Sequence, residues 1–540
     1  RDWSSDVCSS DLEGLFMKRS TAGILAFATI SFFLYAFGVD FFDAIWSFPS
    51  QRAVPFMVMA LVGSGIYVTI YLGFPQIKRF WHGVQVTMGI YDNPEDEGDL
   101  NHFRALTTAL SATVGIGNIA GVAIALYYGG PGALLWMWIT AFFGTTLKFA
   151  ESTLALKYRE MDVNGDTAGG PMYTIENGLG KNWRWLAVAF AAFTIICSMA
   201  TGNAIQSFTV SDQIYSEVSQ VVGSTHWLTL KHAIFEGFDV SVQQIINGLI
   251  MATLVGLVII GGIKRIGKVT GYLAPIMAGV YIVAALLILL SHFDQIGNSF
   301  ALIFKMAINP PAMAGGVGGG VLLVMLHGIK RGLYSNEAGQ GSAAIAHSTA
   351  KTNQPVREGA VAMLGPFIDT ILICTLTGLA IISTGAWEHT EFFVRISVQD
   401  ATLADSIVAS GVFEGRELLN SSLLTSFAFR EGLSWMIGWG DKIITISILL
   451  FALSTAISWS FYGDRSTEYL FGPKAILPYR SVYVFFVFLG GIAGLDAVWK
   501  FGDAALGFMT LPNLLAIILL SKKLKTMSTE YFNQEHVPYK

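Results

Sequence analysis

About twelve stretches of roughly twenty mostly apolar residues recur along this chain, the length a helix needs to cross a bilayer. They fall at 21–38, 55–74, 105–128, 133–156, 183–210, 245–263, 269–290, 316–350, 360–384, 442–462, 482–494 and 504–520. Inside hydrocarbon a backbone must satisfy its own hydrogen bonds, so such a series folds as a bundle of spanning helices. Composition agrees. Of 540 residues, 53% are hydrophobic and 13% charged, whereas a soluble domain is about one quarter charged. The 33 basic and 38 acidic residues leave a net charge of -5, too even to call for a nucleic-acid partner. Three cysteines make no disulfide framework. The partner implied throughout is the lipid bilayer, and no obligatory protein partner is evident.

The opening twelve residues, RDWSSDVCSSDL, are polar and unlike the apolar run that begins at Thr21. They read as the translation of a sequencing adapter, so residues 1–16 are set aside and the natural chain is expected to begin near Met17. Basic residues orient the rest, because short cytoplasmic loops collect Lys and Arg. Clusters such as Lys78/Arg79/Arg104, Lys264/Arg265/Lys268 and Lys522/Lys523/Lys525 fall in alternate connections, while 129–132 has no basic residue and 211–244 only Lys231. Both termini are therefore expected on the cytoplasmic side of the cell membrane.

Two spans are interrupted. One carries Ser111-Ala-Thr-Val-Gly115-Ile-Gly117-Asn118-Ile-Ala-Gly121, the other Tyr334-Ser335-Asn-Glu337-Ala-Gly339-Gln-Gly341-Ser342. Each sets Gly-x-Gly beside hydroxyl, amide or carboxyl groups at mid-membrane depth, where unwound backbone is tolerated only if it lines a cavity. The ends of such half-helices offer N–H groups to a carboxylate, and freed carbonyls with Ser, Thr or Asn oxygens suit a hard cation such as Na⁺. Gly117 and Gly121 also match a helix-contact motif. The pair of breaks at corresponding positions of two halves nevertheless favours a transporter's binding site. Ionisable groups inside spans point the same way, since each is costly in lipid. Glu337 lies in the second break and Asp369 in the span after it; Lys148 and Glu151, three apart on one helix, read as a local pair. Gln206 places an amide in the bundle, and Ser454 and Thr455 place adjacent hydroxyls mid-span.

At these residues the chain strongly resembles the alanine/glycine:cation symporter family, also called sodium:alanine symporters. The matching stretches are FRALTTALSATVGIGNIAGVA (103–123), GGPMYTIENGLGK (169–181), GGIKRIGK (261–268), RGLYSNEAGQGSAAIAHSTAKT (331–352) and LFALSTAISWSFYGDRS (450–466). The resemblance implies an all-α, leucine-transporter-type core of two inverted five-helix repeats, at 104–290 and 315–521. An extra N-terminal helix region (17–100) precedes it and a cytoplasmic tail (522–540) completes the chain. It also implies roles for single residues. Gly115 and Gly117 would present N–H groups to the substrate carboxylate. Thr113, Asn118 and Ser335 would ligate one Na⁺. Ser111 and Val114 carbonyls with Ser454 and Thr455 would hold a second. Gln206, Glu337, Gly339 and Trp459, with Asn118 again, would line the substrate pocket. Two features depart from the family pattern: Ile116 follows Gly115, where a smaller residue is expected, and the polar insertion 385–441 is long. That insertion is expected outside the membrane.

The expected function is Na⁺-coupled import of a small neutral amino acid, alanine or glycine, by alternating access, with no resident cofactor and Na⁺ as co-transported cargo. Proton coupling through Glu337 or Asp369 is the rival on the same fold. A membrane enzyme is disfavoured because the chain has no HExxH, GxSxG, Cys/His metal spacing or P-loop, and its nine histidines are expected to form no cluster. A channel is disfavoured because paired breaks build a closed site.

Overall fold

The computed structural model describes residues 56–538 except 162–164, 236–237, 312–315, 399, 437–438 and 493–494. The expected adapter-derived stretch and the apolar run 21–38 lie outside the described residues. What is described is an all-α integral membrane protein, with only short two-stranded hairpins between helices. Among the described residues seven helices are long and apolar enough to cross a membrane, or up to nine if two bent pairs each count as one span. This is fewer than the twelve runs read from the sequence. Part of the difference is length: Phe56–Leu72 has 17 residues, about 25 Å of helix, short of the hydrocarbon thickness without tilt.

Both expected breaks are present. Helix His102–Thr113 stops, and after a bend of 53° the chain continues as Gly117–Gly129. Helix Gly316–Asn336 stops, and the short helix Ser342–His347 resumes after Glu337, Gly339 and Gly341, all with left-handed backbone. The two broken helices meet at one end of the bundle, where Leu100 and Ala350 form a parallel bridge and Thr349 O accepts from the N–H groups of Asp99 and Leu100. The largest buried apolar cluster runs through Val114, Ile116 and Ile119 of the first break to Phe451, Ile457 and Trp459. A second cluster joins Met57, Val58 and Leu61 to Leu147, Ala338 and Leu514.

Three parts were not foreseen. Phe293–Ile308 is a helix lying against the helices at 133–157 and 375–383. The insertion 385–441 contains helices Glu391–Ser397, Ala401–Ser410 and Ser421–Gly432. The tail begins as helix Ser521–Asn533, turned by 62° from the preceding span. Its Tyr531 hydroxyl hydrogen-bonds His82 Nε2 at 2.7 Å, and Arg79 covers Phe532. Burial, then the nearby His536, Arg357 and Arg79, hold the His82 pKa down at about 4.

Candidate substrate and cation site

The first break begins from an ordinary helix start, with the Asn101 side chain accepting from Arg104 N. Regular hydrogen bonding ends at Val114. Gly115 then passes so close to the helix Gly440–Phe471 that a Cβ there would lie 2.6 Å from Thr455 Oγ1. Asn118, fully buried, holds the gap: its Oδ1 accepts from Gly115 N at 2.9 Å. The Gly115 N–H, expected to face a carboxylate, is therefore donated to Asn118 in this conformation. Gly117 lies against the Tyr334 ring and Ser335 of the second broken helix.

Oxygen donors gather at two places beside this break. Ser111 O, one of the carbonyls expected at the second cation, accepts from Ser454 Oγ at 3.3 Å and Thr455 Oγ1 at 3.0 Å. Val114 is buried at the same turn. The other group centres on Asn118, whose Nδ2 donates to Ser335 Oγ (3.1 Å), to the Asp369 carbonyl (3.0 Å) and to Cys374 Sγ (3.3 Å). Ser335 Oγ also lies 3.3 Å from Thr370 Oγ1. The Asp369 carboxylate faces the hydroxyls of Thr113 and Ser335; Thr370 donates to its Oδ1, and its Oδ2 has no hydrogen-bond partner. Thr113, Asn118 and Ser335 are thus brought together as expected. Asp369, Thr370 and Cys374 belong with them, and nothing in the sequence had assigned these three to Na⁺.

The second break is built differently. Glu337 sits at φ 52° with both carboxylate oxygens occupied, Oε2 by Ser342 Oγ at 2.5 Å and Oε1 by Trp459 Nε1 at 3.2 Å. Trp459 packs in turn on Gly202, where a Cβ would come within 2.3 Å of it. Gln206, on the same helix, donates to Thr201 O at 3.0 Å, and its Oε1 has no partner; that oxygen lies 3.7 Å from where a Cβ on Gly115 would be. Gln206 therefore faces the first break, and Glu337 with Trp459 the second. Gly339 does not join them. It packs among Leu61, Leu147 and Leu514, and its carbonyl accepts from Asn513, whose amide also donates to Glu151. Lys148 and Glu151 do form the expected pair, at 3.7 Å, and Glu151 also accepts from Gly341 N, so this pair props the break.

Three helices loosen to π geometry at the site: Gly117–Gly121, Ala200–Ala204 and Phe367–Cys374. Such segments are rare and frequent at functional sites. They free carbonyls that neighbours then take. Thr377 donates to Asn118 O and Thr425, from the insertion, to Ile119 O. The histidines also require a correction. Although scattered in sequence, His102 and His347 both contact the Glu358 carboxylate, and all three are buried. The cluster lies below the breaks, where the half-helices are bridged.

The model of the sodium:alanine symporter family matches residues 40–539. The sodium/alanine symporter AgcS of Methanococcus maripaludis is 39% identical over 498 residues, covering 92% of this chain and 98% of its own. The amino-acid carrier protein AlsT of Bacillus subtilis is 30% identical, covering 92% and 93%. Among solved structures, MhsT in complex with L-phenylalanine aligns with a TM-score of 0.44 at 16% identity, covering 79% of this chain and 99% of that one.

Proposed function

The chain belongs to the sodium:alanine symporter family, and from that premise we propose that it imports alanine or glycine across the cell membrane, driven by Na⁺. It has no resident cofactor and does no chemistry on its substrate. The observation that carries this reading is the gathering of hard oxygen donors around two facing helix breaks: Thr113, Ser335, Thr370 and Asp369 on one side of Asn118, Ser111 O with Ser454 and Thr455 on the other. Hard oxygen sets of this kind suit Na⁺. Asp369 adds a formal negative charge that a lone cation would balance.

Coupling then runs through Asn118. Its Oδ1 holds the Gly115 N–H; when that oxygen turns to Na⁺, the N–H is released to the amino acid's carboxylate. Gln206 Oε1, unpartnered and aimed at Gly115, takes the ammonium. Glu337 and Trp459 wall the pocket on the other side, which keeps the side-chain space small. Ion and substrate thus stabilise one arrangement reciprocally, and rocking of the two halves (104–290 and 315–521), related as inverted repeats, exposes the site alternately. Both termini lie in the cytoplasm.

A second reading is favoured by the bare Asp369 Oδ2, which suits a proton as well as a sodium ion. Uptake of labelled alanine into proteoliposomes decides between them. A Na⁺ gradient without a pH gradient is expected to drive accumulation, with choline as the inactive replacement. Accumulation driven by a pH gradient alone, indifferent to Na⁺, would overturn sodium coupling in favour of the proton.

A further inference from the structure

At the end of the bundle carrying the insertion, a half-open cleft of about 370 Å³ lies between helix Ile205–Val222, helix Ser421–Gly432 and the first turn of Gly440–Phe471. Its walls carry both signs of charge: the carboxylates Glu217, Glu417 and Asp441, and the guanidiniums Arg416 and Arg430. The deepest polar group is Gln213, only 2% exposed. Its Nε2 donates to Ser426 Oγ at 3.1 Å and Thr445 Oγ1 at 3.2 Å, while its Oε1 has no partner. Asp441 Oδ1 is likewise buried without a partner, while its Oδ2 accepts from Lys442 Nζ at 3.4 Å. Glu217 is already satisfied, by Lys442 and by Thr445 Oγ1 at 2.9 Å.

What remains free defines the ligand. Two acceptors at the base, Gln213 Oε1 and Asp441 Oδ1, suit a primary ammonium with its three N–H donors. Two guanidiniums at the rim suit a carboxylate. Arg416 and Arg430 are about half exposed, at 44% and 49%, and each touches a carboxylate on one edge only: Glu388 at 2.5 Å and Glu431 at 3.5 Å. A small molecule carrying both charges meets complementary groups at each end.

The cleft is also tied to the inner site through two helices. Gln213 is seven residues beyond Gln206 on one helix, about two turns or 10 Å. Ser426 on its floor is the neighbour of Thr425, which donates to Ile119 O in the first break's π turn. The geometry points to an outer binding site for a zwitterionic α-amino acid, occupied before the substrate passes helix Ser421–Gly432 to the breaks. This rests on the substrate class proposed above.

The test uses the full chain in nanodiscs with labelled alanine and saturating Na⁺, together with uptake by proteoliposomes. The wild-type chain is expected to bind two alanines. Arg430→Gln and Asp441→Asn, at partly exposed positions, are expected to bind one and to raise the uptake KM about tenfold with maximal rate retained; size-exclusion profiles check that both variants fold. Asn118→Ala should also bind one, at the outer cleft. One alanine per wild-type chain, with stoichiometry and KM unmoved in both cleft variants, overturns the outer site alone. A wild-type chain that binds no alanine overturns the substrate assignment and the outer site with it.

Discussion

Replacing Asp369 by asparagine tests the cation site most directly. The carboxylate is fully buried, one oxygen takes the Thr370 hydroxyl, and the other has no hydrogen-bond partner. The amide has nearly the same shape but no charge. A unit charge about 4 Å from a sodium ion, at an effective dielectric of about 20, contributes about 4 kcal/mol. The amide oxygen still ligates and the cost of desolvating a carboxylate disappears, so the net loss should be about 1.4 to 3 kcal/mol. That corresponds to a roughly ten- to hundredfold rise in the Na⁺ concentration for half-maximal alanine uptake. Stability should move the other way, because an unpaired buried charge is itself destabilising. Without Na⁺ the variant should melt no lower than wild type, and the Na⁺-induced rise in melting temperature should shrink. The assay is a Na⁺ titration of proteoliposome uptake beside melting curves with and without Na⁺. Unchanged Na⁺ dependence combined with a lower melting temperature would refute the assignment, leaving Asp369 a structural residue.

Asn118→Ala should cut uptake and raise the half-saturating Na⁺ concentration, since it strips hydrogen bonds from Gly115, Ser335 and the Asp369 carbonyl; an unmoved Na⁺ curve removes Asn118 from the ion site. Gly202→Ala forces a methyl against Trp459, 2.3 Å from its Cβ, and should cost about 1–3 kcal/mol by overpacking, measured as a lower unfolding midpoint; wild-type stability would show that Trp459 moves aside freely. The tail should be pH-sensitive through His82, whose pKa is lowered to about 4 when docked. A lowered folded-state pKa stabilises above the free value of about 6.5, and that contribution is lost as pH falls from there toward 4. Proteolysis at Lys522–Lys525 should therefore accelerate below about pH 6, and less steeply in His82→Gln, where His536, whose pKa burial also lowers, still titrates.

Both breaks were legible because Gly-x-Gly beside Ser, Thr and Asn at membrane depth has few other uses. The pairing of Ser454 and Thr455 with Ser111 was legible only through family resemblance, since nothing local joins residues so far apart. Glu337 and Trp459 were each singled out, but not their hydrogen bond. Gly339 was misplaced because a glycine's backbone role says nothing about which side its neighbours come from. Asp369 showed its cost in the sequence and not its surroundings. The His102–Glu358–His347 cluster joins residues up to 256 positions apart, beyond the reach of motif spacing. Phe293–Ile308 was missed because its apolar face is shorter than a span and ends beside a Gly-rich run. The insertion was read correctly as polar, but its docking depends on Thr425 meeting a carbonyl that only a π turn makes available.

Those π turns make chain length itself a determinant of activity. Each holds more residues per turn than an α-helix, so a surplus residue is taken up in the wide turn and the helix beyond it keeps its facing. Deleting one residue from Ala200–Ala204 would close the coil to α geometry, leave the Gln206 amide facing Gly115, and remove the wide turn whose Thr201 carbonyl takes that amide. A single-codon deletion there therefore tests the wide turn itself, apart from the direction in which its side chains face.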